Sequence, residues 1–286
     1  KGGPCGRPFL MRAFLSRVYA LSQKGKDTAM TRNLMELAEK LLPVARAAGE
    51  IELKYYREGA EVIDKADGSP VTLADQEAEK LIAAALRELA PDIPMVGEES
   101  VADGNIPDIS GGRFFLVDPL DGTKEFITGG GDFTVNIALL ENFVPVMGVI
   151  YAPVSGLLYY GAGTQAFVSD NGKPAKQMRV RPAPAEGITV VASKRHGDPE
   201  RLSDFLKDKK VAHMLNRSSS LKFCVIAAGE ADFYPRLGPT SEWDTAAGDA
   251  ILRAAGGQVT QLCGAPLEYG KADKRFLNPE FVAFAP

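Results

Sequence analysis

Two aspartates follow an apolar run in the stretch FFLVDPLDG, and this arrangement restricts how the chain can fold. The apolar residues Phe114–Val117 predict a buried strand that ends at Pro119, because proline cannot donate to a sheet ladder and favours a turn. Asp118 and Asp121 would then converge at the mouth of this strand. Two charges about 4 Å apart repel by roughly 4 kcal/mol at an effective dielectric of about 20, and Mg²⁺, which prefers oxygen ligands, would offset that repulsion. The alternative is a strand and an Asp-Gly turn whose acids are solvated.

The composition predicts a globular protein in a reducing compartment. With 286 residues, 45% hydrophobic and 24% charged, the chain can bury a sizeable core. Its formal net charge of −4 and the lack of a long basic run argue against polymeric nucleic acid as a partner. Three scattered cysteines and two histidines argue against a disulfide framework, a zinc site or a histidine-rich metal site.

Hydropathy and cysteine usage also bear on location. No apolar run approaches the roughly 18 residues that span a membrane, so no integral membrane segment is expected. We therefore expect a cytoplasmic protein. Peripheral association with the inner membrane stays open, as does the choice between a monomer and a homodimer.

Residues 1–33 differ from the rest of the chain because they are arginine-rich and poor in acids. A transit peptide has this composition, and so can vector-derived or upstream residues before a start at Met30. We favour the second interpretation and expect no functional role for this N-terminal extension. Pro182–Pro184 marks the expected boundary between an α+β half at residues 34–183 and an α/β half at residues 184–286.

Apolar spacing predicts two helices before the central acids. Leu34–Tyr56 has the three-four spacing of an amphipathic helix, which Pro43 is expected to bend or divide. Thr72 precedes a second helical pattern over Gln76–Ala90, with Asp75 returning the bond of a capping box. Antiparallel strands follow in the first half, and strands alternate with helices in the second half.

Acids stand at five element boundaries, at Asp75, Glu98, Asp118, Asp121 and Asp244. Each has a local explanation: Asp75 suits a capping box, Glu98 a solvated loop and Asp244 a helix N-cap. Without basic residues nearby in sequence, the five fit better as a shared cation cluster. Paired divalent ions can clamp the oxygens of an in-line phosphoryl displacement. Since no serine elbow, Cys/His pair or glycine-rich nucleotide loop competes, metal-assisted hydrolysis of a phosphate ester is predicted.

Three motifs resemble, in the same order, the signatures of the inositol monophosphatase superfamily: GEES at 97–100, DPLDGT at 118–123 and WDTAAG at 243–248. VTLAD at 71–75 lies upstream, as the resemblance leads one to expect. The stretches TKEFI, FTVNIAL, SSLKFC, YPR and FLNP make the chain most similar to the bacterial 3'(2'),5'-bisphosphate nucleotidases within the superfamily. The resemblance covers the chain from about Leu34 to its end. It implies an α/β (α+β) fold, the layered αβαβα sandwich of the inositol monophosphatase and fructose-1,6-bisphosphatase type.

The resemblance implies a set of metal ligands. Glu98, Asp118, Asp121, Asp244 and the main-chain carbonyl of Leu120 would together bind about two to three Mg²⁺ ions. All of these ligands offer oxygen atoms, which is the chemistry that Mg²⁺ prefers.

The resemblance also implies a catalytic pair. Asp75 and Thr123 would orient and deprotonate the attacking water, with Glu98 assisting. The hydroxyl of Thr123 is no strong base, so it would pass its proton toward Asp75. The amides of Gly122 and Thr123 would stabilise the transferring phosphoryl group.

For the substrate, the resemblance points to His196, Ser219, Lys222 and Arg236, with Asp244 also facing it. Lys222 and Arg236 would pair with a retained 5'-phosphate while the 3'-phosphate lies at the metals. The alternatives are that Ser219 caps its helix, that Lys222 is solvated and that His196 is a surface loop residue.

The implied activity is Mg²⁺-dependent hydrolysis of 3'-phosphoadenosine 5'-phosphate (PAP) to AMP and phosphate, with action on phosphoadenylyl sulfate (PAPS) as an extension. The role would be to clear this by-product of sulfate assimilation, and Li⁺ would inhibit the enzyme. An inositol monophosphatase or fructose-1,6-bisphosphatase with the same metal core is the nearest alternative. A non-catalytic metal-binding scaffold is an alternative of another class, which the complete acid set argues against.

Overall fold

The computed structural model of the protein describes residues 27–59, 62–64, 70–171, 173–193 and 198–286. The helices are α1 (Asp27–Glu58), α2 (Leu73–Leu89), α3 (Glu98–Ala102), α4 (Thr123–Ile127), α5 (Pro199–Leu206), α6 (Leu221–Ala227) and α7 (Trp243–Ala254), with a 3₁₀ turn at Ala272–Lys274. The strands are β1 (Val62–Asp64), β2 (Pro70–Thr72), β3 (Met95–Gly97), β4 (Phe114–Asp121), β5 (Thr134–Glu141), β6 (Val144–Ala152), β7 (Leu157–Ala162), β8 (Gln165–Asp170), β9 (Lys176–Met178), β10 (Ile188–Ser193), β11 (Val211–Arg217), β12 (Phe233–Arg236), β13 (Gln258–Gln261) and β14 (Phe281–Phe284).

Two mixed sheets organise these elements. One has seven strands in the order β3-β4-β5-β6-β7-β8-β9, in which the β3/β4 pair is parallel and the other neighbours are antiparallel. The other has five strands in the order β11-β10-β12-β14-β13, with β10 parallel to both of its neighbours. The chain passes from one sheet to the other between Met178 and Ile188, the segment that contains Pro182–Pro184. The domain limits at residues 33 and 183 stay a prediction.

The layers follow from which face each strand residue presents. Successive strand side chains point to opposite faces, so Val117 joins the core under α1 and α2 while Leu116 joins the core under α6 and α7. Helix α5 covers the far face of the five-stranded sheet, where Phe205 stacks on Phe233 at 6.4 Å between ring centroids. Tyr234, the next residue in β12, packs on the opposite side against Phe223. The predicted α/β (α+β) class and the layered αβαβα sandwich are therefore confirmed.

Helix α7 lies directly on the backbone of β6 because glycine is present at position 148. A side chain added at Gly148 would place its Cβ 2.3 Å from the carbonyl oxygen of Ala247. Ala246, Ala247 and Ile251 of the same helix are buried in the core between the two sheets, and Ala250 is buried as well. Small residues at this crossing thus set how far α7 sinks toward the seven-stranded sheet.

Two proline-based expectations are wrong: Pro43 does not divide the first helix, and the strand does not end at Pro119. A bend at Pro43 stays a prediction. Helix α1 runs unbroken through Pro43 for 32 residues, since its buried face, including Leu41 and Ala45, packs on the sheet on both sides of the proline. Strand β4 continues through Pro119 to Asp121, and a register shift between Asp118 and Asp121 accommodates the missing proline donor.

The N-terminal part of α1 also enters the predicted extension. Because α1 begins at Asp27, residues 27–33 are helical, while residues 1–26 lie outside the described part of the chain. Strands β13 and β14, which complete the five-stranded sheet, were not predicted. Of the helices that the structure describes, none combines the length and the apolar character needed to cross a bilayer.

Glu52 of α1 is fully buried, and neither of its carboxylate oxygens has a hydrogen-bond partner among the described residues. Burial, reinforced by the nearby carboxylate of Asp75, raises the pKa of Glu52 well above its usual value. The folded protein therefore binds this proton more tightly than the unfolded chain does. The contribution of Glu52 to stability is present below the usual glutamate pKa and is lost as the pH rises through the raised value.

We expect Glu52→Leu to raise the free energy of unfolding at neutral pH by roughly 1–3 kcal/mol, because it removes an unsatisfied buried polar group. It should also flatten the loss of stability between about pH 5 and about pH 8. Urea denaturation at both pH values measures the two effects. Glu50→Leu, at an exposed position of the same helix, is the control and should leave stability nearly unchanged. A Glu52→Leu variant less stable than the wild type would show that the carboxyl group is satisfied after all.

Candidate active site

Parallel pairing of β3 and β4 brings two of the predicted ligands side by side. Gly97 is paired with Val117 at the end of this ladder, so the next residues of the two strands, Glu98 and Asp118, emerge at the same sheet edge. Asp118 is 1% exposed, and its Oδ1 accepts a hydrogen bond of 3.0 Å from the amide of Leu120. The irregular register beyond Asp118 then turns the chain toward Asp121.

Glu79 of α2 holds the segment that carries Glu98, a role that sequence reasoning missed. The Glu79 carboxylate accepts hydrogen bonds from the amides of Glu99 at 2.8 Å and Ser100 at 2.9 Å, at the start of α3. Gly97 packs so closely on this carboxylate that an added Cβ would lie 2.5 Å from Glu79 Cδ. The helical spacing of α2 would have indicated only that Glu79 shares a buried face with Ile82.

Asp244 reaches the site from the first turn of α7. Its Oδ2 accepts hydrogen bonds from Thr240 Oγ1 at 2.6 Å and from the amide of Ser241 at 2.9 Å. The interpretation of Asp244 as the helix N-cap is wrong, because Glu242 occupies that position. The Asp244 carboxylate instead reaches back along the chain and anchors the loop before the helix.

Carboxylate oxygens of Glu98, Asp118 and Asp244 all lie within 4.8 Å of one another. Burial, reinforced by the surrounding carboxylates, raises the pKa of Asp118 well above its usual value. Burial and then the charge of Asp244 raise the pKa of Asp121 to about 7, against the opposing effect of Lys222. Asp118 and Asp121 therefore resist ionisation without a counter-charge.

The donor set fits Mg²⁺. Every side-chain donor is a carboxylate oxygen. The Leu120 carbonyl, near the end of β4, accepts a hydrogen bond from Thr123 Oγ1 at 3.3 Å, and Leu120 lines the same cavity as the acids. Hard cations of this kind take oxygen ligands, and a divalent ion offsets the repulsion that the cluster would otherwise suffer.

Asp75 and Thr123 approach the acids from separate elements. Asp75, 2% exposed in the first turn of α2, accepts hydrogen bonds from the amide of Thr72 at 2.8 Å and its hydroxyl at 2.6 Å, which confirms the capping box. The Asp75 charge is close enough to Asp118 to contribute to its raised pKa. Gly122 has a φ of +98° and makes the left-handed turn that starts α4 at Thr123. The catalytic role of the Asp75–Thr123 pair stays a prediction.

A cavity of about 260 Å³ is lined by the acids and by a basic wall, which consists of Lys222 and Arg236. Ser219, Lys222 and Arg236 line it together with Glu98, Asp118, Leu120, Asp121, Gly122, Thr123 and Asp244. The structure thus brings together the predicted ligands and three of the predicted substrate contacts. His196, the fourth, lies outside the described residues.

Lys222 in the basic wall is buried and held by specific contacts, in contrast to the alternative of a solvated side chain. Lys222 is 4% exposed, its ammonium group donates to the Ser219 carbonyl, and it lies 5.3 Å from the centre of the Tyr234 ring. Burial lowers the pKa of Lys222 to about 8, opposed by the charge of Asp121. The alternative of a solvated Lys222 is wrong. So is that of Ser219 as the helix cap, since Ser220 occupies the N-cap of α6.

A buried polar network connects Asp121 to Ser220, which directly precedes α6. Asp121 Oδ2 accepts hydrogen bonds from the Ser220 amide at 2.6 Å and from Asn136 Nδ2 at 3.3 Å. Ser220 Oγ donates to Asn136 Oδ1 at 2.7 Å and lies 2.9 Å from Thr134 Oγ1. Thr134 and Asn136 share one face of a strand whose other buried residues are apolar, and that alternation was the available signal for this network.

The model of the inositol monophosphatase family matches residues 33–280. The chain belongs to the inositol monophosphatase family. Membership in this family confirms what the three motifs predicted.

Within this family, similarity to nucleotidases is high over nearly the full length of the relatives. The 3'(2'),5'-bisphosphate nucleotidase CysQ of Salmonella typhimurium is 45% identical over 248 residues, covering 86% of this chain and 98% of that protein. CysQ of Escherichia coli is 42% identical over 247 residues, with the same coverage of both chains. The crystal structure of CysQ from Bacteroides thetaiotaomicron superimposes with a TM-score of 0.74 and 39% identity, covering 87% of this chain and 97% of that one.

We expect Asp118→Asn to lower the phosphatase rate measured with Mg²⁺ by about 100-fold or more, because one predicted central ligand is lost. In EDTA the same variant should be more stable than the wild type by about 1 kcal/mol or more, since one member of a repelling cluster is gone. Thermal unfolding with and without Mg²⁺ separates the two effects: the Mg²⁺-induced rise of the midpoint should shrink or vanish. Asp208→Asn, an exposed aspartate, is the control. A full Mg²⁺-induced rise in Asp118→Asn would exclude Asp118 as a ligand.

Proposed function

We propose that this chain is a Mg²⁺-dependent phosphatase that hydrolyses the 3'-phosphate of PAP to give AMP and phosphate. One observation carries the proposal: the carboxylates of Glu98, Asp118 and Asp244 converge within 4.8 Å in a cavity that Lys222 and Arg236 also line. An acid cluster that accepts cations, next to fixed positive charge, suits a substrate with two phosphates. The similarity to the CysQ nucleotidases supports the same substrate.

The ions would be held by Glu98, Asp118, Asp121, Asp244 and the Leu120 carbonyl, with about two to three ions as the proposed number. When bound, Mg²⁺ supplies a Lewis acid that polarises the phosphoryl oxygens. The loop between β4 and α4 is well placed for the same purpose: the amides of Gly122 and Thr123 start a helical turn at the cavity wall, where they can donate to the transferring group.

The proton of the attacking water goes to Asp75 through the hydroxyl of Thr123. Thr123 orients the water with its oxygen and hands its own proton on, because a threonine hydroxyl is a poor base by itself. Asp75 is a suitable acceptor, since Thr72 fixes its carboxylate through two hydrogen bonds and burial keeps bulk water away. Glu98 assists by orienting the same water.

The opposite wall of the cavity selects the nucleotide. Lys222 and Arg236 pair with the retained 5'-phosphate, and Ser219 and Asp244 contact the sugar side of the substrate. Arg236 is held by Gly238 and Pro239 carbonyls, which aim its guanidinium group along the wall. His196 is a further candidate contact. PAPS, which carries the same 3'-phosphate, is a second substrate of this site.

The proposed role is the removal of a by-product of sulfate assimilation in the cytoplasm, with inhibition by Li⁺. The buried free thiol of Cys224 suits a reducing compartment. The proposed active form is a monomer or a homodimer. Inositol monophosphatase or fructose-1,6-bisphosphatase activity and a non-catalytic scaffold are the alternatives.

Steady-state kinetics on PAP and inositol 1-phosphate with Mg²⁺ test the assignment. We expect kcat/KM for PAP to exceed that for the inositol ester by about 100-fold or more, because only PAP reaches both the acids and the basic wall. Preference for the inositol ester would overturn the substrate assignment. Absence of phosphate release from either compound would favour the scaffold.

Lys222→Ala should raise KM for PAP by roughly 10–100-fold, the loss expected for one hydrogen bond to a charged group. The Mg²⁺-induced rise of the unfolding midpoint should persist, because Lys222 is not a ligand. Lys207→Ala, an exposed lysine on the same half of the chain, is the matched control. An unchanged KM for PAP in Lys222→Ala would remove Lys222 from the binding site.

A further inference from the structure

The loop between α4 and β5 holds the segment that carries the basic wall. Asp132, near the end of this loop, accepts a hydrogen bond from the amide of Ser218 at 3.2 Å through Oδ2. Its main-chain carbonyl accepts a second hydrogen bond, from Ser219 Oγ at 2.9 Å. Asp132 belongs to the seven-stranded half of the molecule, whereas both serines precede α6 in the other half.

Contacts with α1, with Glu125 and with the core hold this loop, and they fix the position of Asp132. Tyr56 of α1 donates its hydroxyl hydrogen to the Gly129 carbonyl at 2.8 Å. Gly130 lies on the buried Glu125 side chain, so close that an added Cβ would come 2.2 Å from Glu125 Oε1. At the end of the loop, the fully buried Phe133 packs into an aromatic cluster of the core.

The segment that Asp132 holds has an uncommon backbone conformation. Ser219 has a φ of +48°, in the left-handed region that side chains other than glycine rarely adopt. Such a conformation persists when neighbouring contacts hold it in place. It directs the Ser219 carbonyl to the ammonium group of Lys222, so the placement of Lys222 depends on the turn that Asp132 anchors. The negative charge of Asp132 also favours the protonated form of Lys222, whose pKa it raises.

We propose that Asp132 is a positioning residue that adapts the cavity to nucleotide bisphosphates, by holding residues 218–222 so that Ser219 and Lys222 face the substrate. This inference rests on the proposed function, because it assumes that Ser219 and Lys222 bind the nucleotide. Asp132 does not line the cavity, so it acts through those residues. Loss of Asp132 should weaken nucleotide binding and leave the chemistry at the acids intact.

Kinetics on PAP and p-nitrophenyl phosphate, which has one phosphate and no nucleoside, test the inference. We expect Asp132→Ala to raise KM for PAP about 10-fold, with kcat for PAP and all constants for p-nitrophenyl phosphate changed by less than about 2-fold. Asp132→Asn keeps an acceptor for the Ser218 amide but loses the charge and the stronger hydrogen bond of a carboxylate, so it should raise KM for PAP by a smaller factor, about 3-fold. Titration calorimetry with AMP should show the same order of affinities. Asp108→Ala is the matched control, since Asp108 also accepts a loop amide, from Ser110 at 2.8 Å, away from the cavity.

The outcomes are separable. If the wild type turns over PAP but Asp132→Ala leaves KM and AMP affinity unchanged, the inference is wrong and the proposed function stands. An equal loss of kcat on both substrates would also overturn it, because Asp132 would then act on the acids. If Asp132→Ala does not fold, Asp132→Asn decides: a rise in KM confined to PAP supports the inference, and wild-type values for both substrates overturn it. A wild type inactive on PAP would refute the proposed function and this inference together.

Discussion

Repulsion between buried carboxylates is the constraint on which the rest of this structure depends. Glu98, Asp118 and Asp244 lie within 4.8 Å of one another, and Asp121 adds a fourth negative group beside them. A protein interior tolerates such a set only if protons or cations neutralise it. The fold accepts this cost at the junction of its two sheets, and in doing so it builds a site that is ready for divalent ions.

Ordinary backbone geometry assembles this junction. The parallel register of β3 and β4 places Glu98 beside Asp118, and the irregular strand end brings Asp121 round toward the second sheet. There Ser220 meets Asp121 through its amide, and α7 delivers Asp244 in its first turn. Each acid therefore depends on a different tertiary contact, so the cluster can form only when both sheets are in place.

Much of the site could be predicted from sequence because the acids follow recognisable strand and helix ends. Asp75 in its capping box and Asp118 after an apolar run are examples of local patterns with local causes. The errors arose where tertiary packing overrode such patterns, as at Pro119, which lies inside a strand. The roles of Glu79 and Asp132 were not predicted, because their hydrogen-bond partners lie 20 or more residues away in sequence and no periodic pattern indicates such contacts.

The close contact between Gly148 and α7 has a consequence for how such an enzyme can evolve. Asp244 and the buried alanines belong to one rigid helix, so the depth to which that helix sinks also fixes the reach of Asp244 toward its fellow acids. A side chain at position 148 would displace α7 from β6 and so move the Asp244 carboxylate away from the other acids. The spacing of the two sheets thus sets the geometry of the acid cluster, and a change of core volume at this crossing would alter the site as well as the fold.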